Sequence, residues 1–66
     1  MANYYVNKNT QSTGEHEVHK EGCSYMPGNR LYLGDFSSCV PAVQPAKKTY
    51  PNSDSCKWCC PGCHTK

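Results

Sequence analysis

A chain of 66 residues with a formal charge of +2, six cysteines and no isoleucine is expected to form one small domain, residues 1–66, with a thin hydrophobic margin. Burial at roughly 25 cal/mol/Å² is nearly offset by about 1.5 kcal/mol of ordering entropy per residue, so a staple is expected beyond the apolar core. The seven cations are scattered, with only Lys47 and Lys48 adjacent, which excludes a dense nucleic-acid footprint, and no apolar run reaches the length of a membrane span.

Residues 4–7 read as a short strand, with Tyr4 and Val6 facing one side and Tyr5 and Asn7 the other. A polar stretch with one glycine follows to Gly14. Residues 15–20 then resume an extended pattern around Val18, so an antiparallel hairpin is expected. Gly22 permits a tight turn before Cys23, and Pro27-Gly28 marks another. Arg30-Leu31-Tyr32-Leu33 alternates cleanly as a third strand, ended by Gly34-Asp35.

Residues 36–50 are the one helical candidate, with Phe36, Cys39, Val40, Val43, Ala46 and Tyr50 on one face. Ser37 or Ser38 suits its N-cap, and Pro41 is tolerable in the first turn. Pro45 should bend or break the helix, because an interior proline costs roughly 3 kcal/mol. Pro51 ends it, and Asn52-Ser53-Asp54 leads by a turn into the tail. The expected fold class is α+β: a three-stranded antiparallel sheet with one helix, stapled by a zinc knuckle.

The tail, residues 55–64, gathers Cys56, Cys59, Cys60, Cys63 and His64. Thiols this dense point to metal binding or to disulfides. Zinc takes four nitrogen or sulfur ligands in a tetrahedron, and Cys-x-x-Cys lets a chain wrap it while turning sharply. Two such pairs are present, Cys56/Cys59 and Cys60/Cys63. His19 and Cys23, flanking a turn-forming glycine, offer a second half-site before the helix.

These residues resemble a family. A strand, then His19 and Cys23, then Asn29-Arg30-Leu31-Tyr32, Ala42 and Ala46, and last Cys56-Lys57-Trp58-Cys59-Cys60-Pro61, look like the Ada-type zinc-binding domain. A related small module found beside bacterial thermonuclease domains is similar, as are short uncharacterised bacterial proteins with a Tyr-Val-Asn-Lys-Asn run. The resemblance implies zinc ligands His19, Cys23, Cys56 and Cys59. Ada-type domains have a cysteine where this chain has His19. An imidazole offers no thiolate to alkylate, so methyl transfer is not implied. A fold and a structural metal are expected, not an enzyme.

The competing expectation is a disulfide-stapled extracytoplasmic protein without metal, for which six cysteines allow 15 connectivities. The chain opens on Met1 with no leader-like segment, so a reducing cytoplasm is expected, where such thiols favour metal. Cys39 is expected on the inward helix face, as a buried small residue, a disulfide partner of Cys63 or a substitute for one of the ligands, and Cys60 is expected free. A thiol redox role for Cys60-Pro61-Gly62-Cys63 ranks last, since no helix follows it to lower a thiol pKa. His16 is expected in solvated loop and His64 at a frayed end. Tyr25 and Trp58 are expected mainly in packing, with Trp58 and Lys57 at the knuckle tip as the one candidate contact. The expected partner is nucleic acid or protein, not membrane, and the expected state is a monomer.

Overall fold

The computed structural model describes residues 1–12 and 14–63. Its elements are β1 (Ala2–Asn7), β2 (His16–Lys20), β3 (Arg30–Phe36), the helix α1 (Cys39–Thr49), β4 (Ser53–Ser55) and a short 3-10 turn at Pro61–Cys63. The fold is α+β, as the pattern requires. The sheet is mixed and four-stranded, however, in the order β3-β1-β2-β4. The expectation of three antiparallel strands is corrected by β4, which pairs parallel with β2 where a turn was expected. Three polar residues carry no alternation of hydropathy to announce a strand. β4 exists because the main chain returning from α1 runs beside β2: His16 donates its amide to the Asn52 carbonyl and Cys56 to the Val18 carbonyl, each at 2.9 Å.

β1 and β2 form the expected hairpin, with Val6 opposite Val18 and Tyr5 opposite His19. Side chains alternate across a strand, so His19 stands on the face away from Val18. β1 also pairs antiparallel with β3, and the register shifts between Tyr4 and Tyr5. Tyr4 faces Gly34 while Tyr5 faces Tyr32, so Leu33 is the extra residue of a bulge. Gly34 permits it. Its φ is +135°, and a Cβ there would lie 3.1 Å from the Phe36 ring. The strand therefore runs through Gly34-Asp35 instead of ending there.

The core lies between the Tyr4/Val6/Val18 face and the helix, with Val6, Val18, Ala42 and Ala46 fully buried. Two alanines as the buried helix positions let the helix axis come close to the sheet. Leu31, Leu33, Phe36, Cys39, Val43 and Tyr50 pack around this centre, partly buried. Val40 does not join them: it is 65% exposed, against its expected inward place. Ser38 takes the N-cap position with extended backbone but no side-chain cap bond. The helix passes through Pro45 unbroken. Proline's fixed φ suits a helix, and what it costs is one backbone bond and a clash with the carbonyl four residues back. Burial of Ala42 and Ala46 on either side of it offsets that cost. Lys47 and Lys48 in the last turn complement the helix dipole.

His16 is not a solvated loop residue. It opens β2, donates from Nδ1 to the Asn7 carbonyl (2.8 Å) and stacks on Tyr50 with ring centroids 3.9 Å apart. This ties the hairpin to the end of the helix.

Candidate metal centre

Each half of the site is a tight turn with its own main-chain bond. After β2 the amide of Cys23 donates to the Lys20 carbonyl (3.1 Å), with Gly22 at φ +90° making the reversal. In the tail the amide of Cys60 donates to the Cys56 carbonyl (2.8 Å), folding Cys56 to Cys59 into one loop. The halves are joined directly. The Lys20 amide donates to Cys59 Sγ (3.3 Å), and Cys23 Sγ lies 3.9 Å from Cys56 Sγ.

The sheet and these two turns bring His19, Cys23, Cys56 and Cys59 together, with one potential ligand atom from each and all of these within 4.8 Å of one another. His19 and Cys56 are buried, and Cys23 and Cys59 are half-buried at the rim. Such a group can hold a metal ion. The residues fit one on a second ground: His19 Nδ1 is buried with no hydrogen-bond partner, while Glu17 Oε1 lies 3.4 Å from His19 Nε2. A buried polar atom with no partner is costly, and a cation is one way to satisfy it.

The electrostatics agree in direction. Burial pushes the Cys59 thiol well above its ordinary range, partly opposed by the Lys20 amide and reinforced by the neighbouring sulfurs. Burial raises Cys60 as well. Burial lowers His19, with the Glu17 carboxylate pulling the other way. Without a cation these groups are held as neutral thiols and neutral imidazole; a bound divalent ion reverses the thiol preference by stabilising thiolate.

The remaining cysteines divide. Cys39 and Cys63 form a disulfide that pins the end of the tail to the first turn of α1, across a sequence separation of 24. Cys60 is a free thiol, but it is buried in the core beside Tyr4, with its sulfur 3.8 Å from that of Cys59. The Cys60/Cys63 pair is thus split between core and disulfide. His64 lies outside the described residues.

Two aromatics expected mainly in packing are exposed. Trp58 is 63% exposed and Tyr25 60%. Their rings approach to 5.7 Å between centroids, and Lys57 Nζ stands 4.9 Å from the Trp58 ring centre. A cleft of about 220 Å³ between the two turns is lined by Gly22, Cys23, Ser24, Tyr25, Trp58 and Cys59.

No protein-family model matches the chain, and no curated protein or solved structure is significantly similar to it. Among the described residues no helix is long and apolar enough to cross a membrane.

Proposed function

We propose that this chain is a small structural zinc module that serves as a monomeric interaction domain and has no catalytic activity of its own. The observation that carries the reading is the convergence of one imidazole and three thiols from two distant turns. That donor set suits zinc among the common divalent ions, and a site closed by four protein ligands has no position for water or substrate. The ion would tie the turn after β2 to the tail, and its binding energy would be folding energy. The resemblance to Ada-type domains supports the same reading. The test is the metal-to-protein ratio of freshly purified chain, with amide NMR spectra before and after a strong chelator. One equivalent of zinc and collapse of the dispersed spectrum are expected; no metal and an unchanged spectrum would overturn it.

The interaction role is supported by Tyr25 and Trp58, held out to solvent by the two turns that the metal would join. An aromatic pair with an adjacent lysine suits stacking on a nucleobase or on a partner's planar side chain. Trp58 is the chain's one tryptophan, so quenching of its fluorescence by a short single strand or by a candidate protein reads the contact directly.

One observation favours the second reading, a disulfide-stapled extracytoplasmic protein: the Cys39–Cys63 bond. Disulfides persist in oxidising compartments, so the proposed cytoplasmic setting requires that bond to be reduced in the cell. Counting free thiols in denatured, metal-stripped protein separates the cases. Six means a wholly reduced chain, four the disulfide with a metal site, and none three disulfides and no thiolate site.

A further inference from the structure

We infer that His19 meets the metal through Nδ1, and that Glu17 is the positioning residue that fixes this choice. The inference rests on the metal-site reading and adds to it the identity of the bound atom and the group that orients it.

Glu17 and His19 are two residues apart on β2, so both side chains stand on the same face of the sheet. Glu17 Oε1 is 3.4 Å from His19 Nε2, and the Glu17 side chain is itself only 19% exposed. The carboxylate therefore stands beside the ring. An ionised carboxylate only accepts hydrogen bonds, and a neutral imidazole has one N–H and one lone pair. Facing the carboxylate, Nε2 takes the N–H, which leaves the lone pair on Nδ1. That atom is the one that lies buried with no partner. A metal ligand must present a lone pair, so the tautomer that Glu17 selects is the tautomer that coordination through Nδ1 requires. A carboxylate behind a ligating histidine also makes the imidazole a stronger donor and fixes the plane of its ring. The pairing accounts for a feature the four ligands leave unexplained: a half-buried carboxylate placed beside a site that would already hold three thiolates.

The test uses the full chain, labelled with ¹⁵N and loaded with ¹¹³Cd as the probe ion. A one-bond ¹¹³Cd–¹⁵N coupling is expected at His19 Nδ1, with Nε2 carrying a proton. Glu17→Gln retains an accepting carbonyl, so it should keep the coupling at Nδ1 and lose less than ~10-fold in cadmium affinity. Glu17→Ala removes the acceptor and should lose on the order of 10–100-fold. Coupling at Nε2 in the wild-type chain would overturn the inference and leave the metal site standing; so would wild-type affinity in Glu17→Ala. If the wild-type chain takes up no cadmium, the metal reading fails and this inference with it. The coupling is read in the wild-type chain, so the result does not depend on the variants folding.

Discussion

In β1, β2 and α1 the buried hydrophobic side chains are Tyr4, Val6, Val18, Ala42 and Ala46; in β4 and the tail the buried side chains are Ser53, Asp54, Ser55, Cys56 and Cys60. The first set gains stability from apolar area removed from water and from two antiparallel ladders. The second set contributes apolar area only through Cys56 and Cys60, of which Cys60 joins the core cluster. Its polar members need partners, and they find local ones: Ser53 Oγ donates to the Tyr50 carbonyl (2.5 Å), and the Ser55 amide donates to Asp54 Oδ1 (2.9 Å). The main chain of Ser53–Ser55 is tied to the sheet by its parallel pairing with β2. Beyond that strand the ties are cross-links, the Cys39–Cys63 bond and the group around Cys56. The comparison teaches that the cross-links converge on the part of the chain poorest in apolar side chains.

The comparison breaks most severely at Cys56, the fully buried thiol of the group. Cys56→Ser should lose zinc uptake by at least ~100-fold and leave the tail unfolded, since metal binding is folding energy in such a site, on the order of 10 kcal/mol. A zinc titration against a competing chelator checks it; near-native affinity would remove Cys56 from the site. The double variant Cys39→Ser/Cys63→Ser should lower stability by about 3.5 kcal/mol, the loop-entropy value for this separation, while still binding one zinc. Equilibrium denaturation with and without a reductant measures the loss, and an unchanged midpoint would mean that the bond does not constrain the chain.

Val6→Ala probes the other region. Removing two buried methyl groups should cost about 2 kcal/mol, read as a lower Tm at unchanged metal stoichiometry. If it abolished metal uptake, the two regions would not be separable. Acid is a gentler probe. Burial lowers the His19 pKa below its ordinary 6.5, so just below that pH the unfolded chain takes up a proton that the folded chain refuses. The zinc-loaded chain should lose further stability as pH drops below about 6.5, because the unfolded chain then protonates a ring that must stay neutral to hold the ion. Urea midpoints at intervals from pH 8 to 5 test the sign, and His19→Gln should flatten that part of the curve. Smallest of all, Trp58→Ala should change stability by less than about 0.5 kcal/mol, because the ring is largely in solvent, yet abolish partner contact. A large loss of Tm would make it a packing residue after all.

Much of the site was legible because its signals are local. Cys56-x-x-Cys59 and the His19/Cys23 turn advertise themselves by residue type and spacing. That Cys39 and Cys63 would pair was one option among several, since a face and a spacing cannot fix which thiols meet. Glu17 was not legible. Its importance depends on alternation along β2 placing its carboxylate beside the ring of His19, and a lone glutamate in a strand carries no sign of that.

The sequence by itself determined the α+β class, the β1–β2 hairpin, the helix and the candidate half-sites, with the choice of Cys56/Cys59 over Cys60/Cys63 resting on a resemblance, because periodicity, turn chemistry and ligand spacing are properties of neighbours along the chain. Tertiary structure alone decided the fourth strand, the passage of the helix through Pro45, the exposure of Val40, Tyr25 and Trp58, and the fate of Cys39, Cys60 and Cys63. Each of these depends on what a residue meets from a distant part of the chain. Ser53–Ser55 is a strand only because β2 is beside it, and Pro45 is tolerated only because Ala42 and Ala46 are pressed against the sheet.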